Sequence, residues 1–404
     1  MRNLGKSENK NLLIVLPKIG IPSEIWSFYQ AEELAKTYDV HFLTWERQPT
    51  QQNRYFDRFP VETMGRSWER GWALPDRAYR RITRSFLLPD THCREEQRRI
   101  RSVVAKIKPV VILAHFEWTA RALSESLDNS SPPVICHVHG RDVGPLLDTK
   151  PQVRRQVSKT LHFATHVICV GESQRDRVVR TTGIGESKTS VIPCGANQEI
   201  FKFCDRSKRP GDTCVRFIQV GRMSQEKGWH GLLEAFAEAA SSLPDIHLDL
   251  VGDGELLPSV IEHIKALEIE DRCTIHGQKS GSEVGDLLEN ADVAVQNSRD
   301  TANWSEGFGV TLCEAASTGL PLIASKAGGL LDQMQDGQNG ILVEQDAPLE
   351  LARAITRLGL SFELRMSMGK CAYENSRRFG VNRMTTRLSE ILTKVSDGST
   401  DRID

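Results

Sequence analysis

The sequence predicts an α/β protein made of two Rossmann-like domains, each with a parallel sheet. Short apolar segments of strand length alternate with helical stretches along both halves of the 404-residue chain, and most of these segments run into a glycine turn. Such alternation is typical of a parallel sheet covered by helices on both faces. A chain of this length supports two hydrophobic cores rather than one. Ligands of such sheets bind beyond the carboxyl ends of the strands, which is where the glycine turns fall.

The first half contains a helix and a run of apolar strands. The predicted strands lie at residues 11–16, 40–44, 110–115, 134–138 and 166–170. A turn from Pro17 to Pro22 separates the first strand from a helix over about residues 24–36. The segment HVHGRDV, residues 137–143, follows the fourth strand and places His139 and Gly140 at a strand end. We therefore expect His139 to face the ligand cleft.

The second half shows the same alternation of strands and helices after a polar linker near residues 203–214. The predicted strands lie at 216–220, 248–251, 274–276, 291–296 and 321–324, and the predicted helices at 229–240, 256–267, 282–290 and 310–317. We expect an N-terminal domain over residues 1–203 and a C-terminal domain over residues 204–380. A helix and a disordered tail are expected over residues 381–404.

The segment from 297 to 343 carries the most specific pattern in the chain. Gly307 and Gly309 form a flexible turn, whose bare backbone can approach a ligand closely, immediately before the helix at 310–317. Unpaired N–H groups at the start of that helix suit a phosphate or a polar sugar edge. Glu306 precedes the helix and Glu314 lies within it, so the two carboxylates can reach different parts of one ligand.

A second candidate site element follows the strand at 216–220. Gly221 and Arg222 come directly after the strand, and Lys227 stands just before the next helix. A strand, a glycine turn with two cations and a helix start together suit a diphosphate, because arginine offers a planar fork and lysine a mobile point charge. The complete P-loop pattern is missing, because Gly5-Lys6-Ser7 is the one Gly-Lys-Ser/Thr run in the sequence and no glycine precedes it at the required distance.

These segments resemble retaining family-four glycosyltransferases of the GT-B fold, in particular exopolysaccharide and glycolipid enzymes. EGFGVTLCEAASTGLP (306–321) matches the family's two glutamates eight positions apart and the glycine-proline strand start. VGRMSQEKG (220–228) resembles the family's phosphate loop, and PSEIWSFYQAEELAK (22–36) resembles the helix opening of exopolysaccharide-type members. The sequence departs from the family at Gly20, which stands alone where two glycines are usual, and at Cys194 and Asn197 in the hinge strand.

The resemblance implies two Rossmann-like domains whose parallel sheets face an interdomain cleft, and a UDP- or GDP-sugar donor bound there. Arg222 and Lys227 would neutralise the leaving diphosphate, Glu314 would hold the ribose, and Glu306 would hold hydroxyls of the transferred sugar. His139 would contact that sugar from the other domain, so the catalytic set is His139, Glu306, Arg222 and Lys227. The expected donor-binding residues are Gly221, Arg222, Lys227, Gly277, Glu306, Gly307, Phe308, Gly309, Val310 and Glu314. The loop 276–278 would lie near the base.

We expect no metal and no cofactor beside the donor. His137 and His139 lie two positions apart, which also fits a zinc site or a structural role, but a zinc site needs three or four ligands. No third histidine stands at ligand spacing nearby, and the chain contains no Asp-x-Asp dyad.

Composition and charge limit the cellular compartment and the kinds of binding partner that the sequence favours. None of the nine cysteines forms a Cys-x-x-Cys pair, which favours reduced thiols in the cytosol. The first residues lack the apolar core of a signal peptide, and no stretch approaches ~20 uninterrupted apolar residues. Residues 1–200 carry 30 Lys+Arg against 22 Asp+Glu (+8), and residues 201–404 carry 22 against 31 (−9).

Much of the positive excess lies between Arg66 and Lys108, with aromatic residues interleaved. Such a surface suits peripheral contact with an anionic membrane, or an anionic lipid-linked glycan as acceptor. A solvated helix face fits the same pattern. Nucleic acid is not expected, because no stacking or groove-reading motif accompanies the charge.

The function predicted from the sequence is a retaining, metal-independent hexosyltransferase of surface-polysaccharide or glycolipid synthesis. Two alternatives stay open: a sugar-nucleotide epimerase on a similar scaffold, and a non-catalytic subunit that activates a partner transferase. A glycoside hydrolase is disfavoured, because its two carboxylates lie ~5–9.5 Å apart, whereas eight helical positions span ~12 Å.

Overall fold

The computed structural model describes residues 10–21, 24–65, 91–208 and 214–398. These residues form two Rossmann-like domains, each built on an all-parallel sheet with helices on both faces. The α/β fold with two such domains is therefore confirmed. No helix in the described ranges is long and apolar enough to cross a membrane.

The N-terminal sheet has seven strands in the order β3-β2-β1-β4-β5-β6-β7. Its strands are β1 (Asn11–Ile19), β2 (Asp39–Arg47), β3 (Val61–Thr63), β4 (Val111–His115), β5 (Val134–Val138), β6 (His166–Cys169) and β7 (Thr189–Val191). Its helices are α1 (Trp26–Leu34), α2 (Thr91–Ile107), α3 (Glu117–Ser124), α4 (Leu146–Thr149), α5 (Pro151–Phe163) and α6 (Glu172–Thr182).

The C-terminal sheet has six strands in the order β10-β9-β8-β11-β12-β13. Its strands are β8 (Val215–Val220), β9 (Ile246–Val251), β10 (Cys273–Gly277), β11 (Val293–Gln296), β12 (Leu322–Ser325) and β13 (Gly340–Val343). Its helices are α7 (Trp229–Ala240), α8 (Leu257–Ala266), α9 (Gly281–Asn290), α10 (Val310–Ser317), α11 (Pro348–Leu360) and α12 (Phe362–Ser376).

Both sheets are buried on both faces, which explains the continuous apolar runs in their strands. In β1, Leu12 and Ile14 pack into one hydrophobic cluster while Leu13 and Val15 pack into another on the opposite face. In β8 the same alternation separates Phe217 from Ile218. Each domain therefore has its own two-layered core on its sheet.

The last described helix, α13 (Val381–Ser396), returns to the N-terminal domain. Its residues Leu388 and Leu392 pack into the cluster that contains Leu12, and the Tyr38 hydroxyl lies 2.9 Å from the Thr393 hydroxyl. The crossing is fixed by backbone hydrogen bonds of 2.9 Å from Ala196 to Phe379 and from Val381 to Ala196. The two domains are thus joined twice, near residue 203 and near residue 380.

Several strands differ from the ranges predicted from the sequence. The turn expected from Pro17 begins later, because β1 continues to Ile19. Beyond Val15, β1 pairs only with β2, so the missing N–H of Pro17 removes no ladder bond to β4. The short edge strands β3 and β7 were not predicted, since three residues carry too little periodicity to be recognised.

The basic segment is only partly described, because residues 66–90 lie outside the described residues. On α2 its cations have protein partners: Arg99 donates to the carbonyls of Thr63 and Met64, and Arg101 donates to the carbonyl of Ser126. Lys106 forms an ion pair with Glu62. The charge of Lys106 is therefore paired, whereas Arg99 and Arg101 keep their charge but are held by backbone carbonyls.

Candidate functional site

An ion pair between Lys227 and Glu306 lies at the carboxyl ends of the C-terminal strands. The Lys227 ammonium is 2.6 Å from Glu306 Oε2, and the side chains are 14% and 10% exposed. The Ser298 hydroxyl donates to the same carboxylate oxygen at 3.0 Å, and the ammonium lies 5.1 Å from the centre of the Trp304 ring. The two residues expected to hold the diphosphate and the sugar are thus in direct contact.

Two side-chain amides fix the backbone on which Lys227 stands. Gln219 donates to the Lys227 carbonyl and accepts from the Asn297 N–H, each at 3.0 Å. Asn297 in turn donates to the Gly228 carbonyl at 2.9 Å. Gly228 has φ +63°, and a side chain there would collide with the Asn297 backbone. These hydrogen bonds connect the loop after β8 to the loop after β11. They therefore help to keep the Lys227 side chain next to that of Glu306.

Arg222 occupies a different setting from Lys227, although both follow Gly221 in one loop. Its guanidinium is 57% exposed, with Glu226 as a weak partner at 3.4 Å. Its carbonyl accepts a hydrogen bond from the Trp229 indole at 2.9 Å, which anchors the backbone while the side chain reaches outward. Arg222 is thus positioned to meet a ligand entering from solvent.

The glycines near Glu306 approach other protein segments, which corrects the expectation that they approach a ligand. A side chain on Gly307 would collide with the carbonyl of His139 in the N-terminal domain. A side chain on Gly329 would collide with Gly307, and its N–H donates to the Glu306 carbonyl at 2.8 Å. Gly309 has φ +76°, and a side chain there would meet Leu330. These glycines let the two domains and two loops pack closely around Glu306.

The start of α10 presents backbone rather than side chains to the cleft. Gly309 occupies the N-cap position and no side chain caps the helix, which leaves N–H groups of its first turn for a ligand. Val310 is half-buried there. The ring of Phe308 packs in the core at 5.2 Å from the Phe379 ring, so only its backbone can contact a donor.

Glu314 lies one turn further along α10 and is half-buried. Burial raises the pKa of this carboxyl to about 8, so it is mostly protonated at neutral pH. The hydroxyl of Tyr29 in α1 approaches Gly281 at the start of α9. Burial, and then the charge of Glu314, raise the pKa of Tyr29 to about 12. Glu314 therefore faces the N-terminal domain across the cleft.

The loop expected near the base is more tightly held than its sequence suggests. His276 lies within β10, and its imidazole is 2.7 Å from Asp249, which also accepts two hydrogen bonds from Arg216. Gly277 has φ +67°, and a side chain on it would meet nothing within 4 Å. The open face at this strand end is therefore that of Gly277 rather than of His276.

His139 is held from the backbone by Asp142, a residue that sequence reasoning missed. The N–H groups of His139 and Gly140 donate to one carboxylate oxygen of Asp142 at 2.9 and 3.0 Å. The N–H of Glu117 donates to the other oxygen at 2.9 Å. Burial raises the pKa of Asp142 to about 6, although these hydrogen bonds oppose that shift. The spacing of Asp142 after Gly140 in HGRD could have indicated this turn.

The ring of His139 lies in a cluster of side chains rather than alone at a strand end. Its Nε2 is 3.0 Å from Nδ1 of His115 and its Nδ1 is 3.5 Å from Sγ of Cys194, while Trp26 packs 4.4 Å from the ring centre. His137 lies 4.4 Å from it, ring to ring. The expectation that no third histidine is near was wrong, because β4 brings His115 beside β5 in the sheet.

Burial lowers the pKa values of these histidines well below the usual range. For His139 burial is the main cause, followed by His137 and then His115. For His137 burial lowers the pKa to about 4. The three rings are therefore neutral at physiological pH.

Glu24 belongs to the segment 22–36 but was not predicted to lie at the site. Burial raises the pKa of its carboxyl to about 7, and the charges of Arg222 and Lys18 limit this rise. Its Oε2 is buried without a hydrogen-bond partner among the described residues. Glu24 thus places an ionisable group from the N-terminal domain near the exposed Arg222.

Comparison with protein families agrees with this architecture. Residues 24–199 match the family described as Glycosyltransferase Family 4, and residues 205–375 match that described as Glycosyl transferases group 1. The two matches correspond to the two domains. The chain therefore belongs to the family-four glycosyltransferases.

Individual relatives are distant from this chain. An uncharacterized glycosyltransferase of Methanocaldococcus jannaschii is 26% identical over 71% of this chain and 76% of that protein. A D-inositol 3-phosphate glycosyltransferase of Corynebacterium diphtheriae is 30% identical, but the match covers 50% of this chain and 49% of that enzyme. Among solved structures, HepE of Anabaena in complex with UDP and glucose has a TM-score of 0.76 at 19% identity, over 96% of this chain and 100% of that one. This likeness establishes the GT-B fold.

Proposed function

We propose that the protein transfers a sugar from a nucleotide-sugar donor to an acceptor hydroxyl with retention of anomeric configuration. The observation that carries the proposal is the contact between Lys227 and Glu306 at 2.6 Å, beside the uncapped start of α10. A cation, a carboxylate and unpaired N–H donors match the parts of a sugar diphosphate: anionic oxygens and hydroxyl groups. HepE, which has the same fold, is known in complexes with UDP and with UDP-glucose.

The leaving group is stabilised by the two cations. When the bond between the sugar and the phosphate breaks, its electron pair passes to the phosphate oxygen. Lys227 and Arg222 lower the energy of that developing charge, which is the kind of electrostatic contact that contributes most in such sites. Lys227 turns partly from Glu306 to the diphosphate, and the Glu306 carboxylate then accepts hydrogen bonds from sugar hydroxyls. With two cations on the diphosphate, the reaction requires no metal.

Glu314 is assigned to the ribose. In the ligand-free protein its carboxyl is mostly protonated at neutral pH, because burial raises its pKa to about 8. Two hydroxyl groups donating to it favour the charged form and lower that pKa. Donor binding is therefore coupled to release of a proton from Glu314.

His139 contacts the transferred sugar from the N-terminal domain. Its Nε2 faces His115 at 3.0 Å, whereas its Nδ1 has only the weaker 3.5 Å contact with the Cys194 sulfur. A thiol is a poor hydrogen-bond partner, so a sugar hydroxyl can displace it at low cost. We therefore assign the sugar contact to Nδ1.

For the acceptor we propose an anionic lipid-linked glycan of surface-polysaccharide or glycolipid synthesis. The support is the positive excess of the N-terminal half, +8 against −9 in the C-terminal half (30 Lys+Arg and 22 Asp+Glu against 22 and 31). Retention follows if the acceptor attacks on the face from which the diphosphate departs.

The test is a donor screen followed by product analysis. UDP-, GDP- and ADP-sugars are tested for their effect on the melting temperature, since a ligand that binds only the folded state raises it. The best donor is then incubated with lipid-linked acceptor extracts, and the anomeric configuration of the product is determined by NMR. No stabilisation by any nucleotide sugar would refute donor binding. Release of a free sugar or epimer in the absence of an acceptor would favour an epimerase over a transferase.

A further inference from the structure

Three histidine rings meet inside the N-terminal domain, where the ends of β4 and β5 lie side by side. His115 and His137 are partners in the parallel register of these strands, and His139 follows two residues later. The distances between ring centres are 5.3, 5.2 and 4.4 Å for the three pairs. One nitrogen from each ring lies within 4.8 Å of the others. The cluster therefore brings three imidazole nitrogens within reach of one another.

Two nitrogens in this cluster lack a hydrogen-bond partner among the described residues, although both rings are fully buried. They are Nε2 of His115 and Nδ1 of His137. A buried polar atom without a partner is costly, and such atoms are rare in folded proteins. Nδ1 of His137 is therefore open to a ligand, whereas Nε2 of His115 lies on the other side of its ring from the nitrogen that faces His139.

The surroundings of His137 match those of a metal ligand. Its Nε2 lies 3.1 Å from the carbonyl of Ile192, so this nitrogen carries the proton and donates it. A neutral imidazole that donates from one nitrogen has a lone pair on the other, here the unpartnered Nδ1. Metal-ligating histidines usually hold their second N–H to a carbonyl or carboxylate in this manner.

We propose that His115, His137 and His139 form a binding site for one Zn²⁺ ion. Imidazole nitrogens suit zinc, and three protein ligands leave the fourth tetrahedral position for water. Zinc–nitrogen bonds of about 2.0–2.1 Å place two ligand nitrogens ~3.3 Å apart. The closest pair, His115 and His139, is already at 3.0 Å. All three nitrogens lie within 4.8 Å of one another, so the widest separation must close by at most about 1.5 Å on zinc binding.

The ion enters from the cleft, because His139 is the half-buried member of the cluster. Coordination through Nε2 of His139 fixes the orientation of its ring, so that Nδ1 can no longer turn to the donor sugar. Zinc therefore inhibits transfer, a consequence that rests on the function proposed above. The binding itself does not depend on that function and is measured without any donor.

The test is zinc titration of the tag-free, chelator-stripped protein by calorimetry. We expect the wild type to bind one tight equivalent that His115→Gln and His137→Gln both lose. The matched control is His166→Gln, because His166 is also buried on a neighbouring strand but bonds Ser190 at 2.8 Å. We expect His166→Gln to bind one tight equivalent of zinc, as the wild type does. The proposal is overturned if the wild type binds no tight equivalent of zinc. It is also overturned if His115→Gln and His137→Gln bind zinc as tightly as the wild type does.

X-ray absorption of the zinc-loaded wild type decides the question even if a variant fails to fold. Three imidazole ligands support the site, and fewer than three contradict it. Once a donor is known, Zn²⁺ should inhibit the wild type, whereas His137→Gln should be active and insensitive to zinc. Equal inhibition of both proteins would refute the inhibitory role while the titration still reports on binding.

Discussion

Lys227 and Glu306 are 79 positions apart in the sequence, yet their charged groups lie 2.6 Å apart in the unliganded protein. The contact joins the loop after β8 to the loop before α10, and it neutralises two charges that are mostly removed from water. It also means that a diphosphate must compete with Glu306 for Lys227. In the proposed donor site, the pair would therefore hold the two loops together until a diphosphate takes the place of Glu306 at Lys227.

The first prediction is that the losses of unfolding free energy in the Lys227 and Glu306 variants are not additive. Removing both partners should cost less than the sum of the two single losses. Lys227→Met leaves a largely buried carboxylate with Ser298 as its remaining partner, and Glu306→Gln leaves a largely buried ammonium. Each single variant should lose on the order of 2–4 kcal/mol of unfolding free energy. The double variant should be more stable than the sum of the two losses implies. Urea unfolding of all four proteins measures this coupling, and strictly additive losses would show that the two charges do not interact.

The second prediction concerns turnover. Arg222→Ala and Lys227→Ala should each reduce the transfer rate by roughly 10²-fold or more, as for other contacts to charge that develops in a transition state. The matched controls are Arg353→Ala and Lys265→Ala, which remove exposed cations from the helices α11 and α8. Steady-state rates of the four variants provide the measurement. A folded Arg222→Ala/Lys227→Ala protein with near-normal rates would exclude both cations from the reaction.

The third prediction is a pH dependence of stability at Glu314. Because its folded pKa is raised from 4.5 to about 8, the unfolded chain ionises first as pH rises. The contribution of Glu314 is thus fully present below pH 4.5 and is lost on approach to about pH 8. The stability advantage of Glu314→Gln over the wild type should grow between these pH values, by at most ~1.4 kcal/mol per unit.

A glutamate with the opposite shift is the control for this experiment. Hydrogen bonds from Ser280 lower the pKa of Glu283 to about 2, so it is ionised in both states above about pH 5. Glu283→Gln should therefore change stability by a constant amount over the same range. Urea unfolding at several pH values gives both differences. A flat profile for Glu314→Gln would mean that this carboxyl is ionised in the folded protein at neutral pH.

The fourth prediction is that transfer survives excess EDTA, because the two cations already serve the diphosphate. The rate is measured before and after chelation, and then with Mn²⁺ or Mg²⁺ added back. Loss of activity in EDTA with recovery on either metal would contradict the mechanism.

The fifth prediction concerns the basic segment, whose residues 66–90 lie outside the described residues. The protein should sediment with anionic liposomes at low salt and be released as salt rises, because such attraction is screened over ~8 Å at physiological ionic strength. Replacing Arg77, Arg80, Arg81 and Arg84 with serine should abolish sedimentation while donor affinity is unchanged. If the wild type ignores anionic liposomes at low salt, a soluble acceptor becomes the better assignment.

Much of the fold could be predicted because both sheets are buried on both faces. Short, mostly apolar runs such as 134–138 and 293–296 are typical of interior parallel strands, and helices such as α7 have an apolar face at helical spacing. The path of α13 could not be predicted, since its apolar face does not specify which domain it covers. Its packing against Leu12 depends on the backbone bonds between Ala196 and the segment around Phe379.

The sequence indicated candidate residues for the site but not the contacts between them. Sequence spacing placed Arg222, Lys227 and Glu306 near strand ends, but it could not show that two of them pair. The glycines illustrate the limit most clearly: Gly307 favours close approach by any group, and only the folded chain shows that the group is the His139 carbonyl. His115 was overlooked because its proximity to His139 arises from the register of β4 and β5.

In the proposed complex a nucleotide sugar binds between Lys227, Arg222 and Glu314, and a crystal structure with a bound nucleotide would show whether it does. The protein is crystallised with the nucleoside diphosphate that raises its melting temperature most. We expect diphosphate oxygens within hydrogen-bond distance of the Lys227 ammonium and the Arg222 guanidinium, and ribose hydroxyls on Glu314. A nucleotide bound elsewhere, or a diphosphate that contacts neither cation while Lys227 keeps its pairing with Glu306, would contradict it.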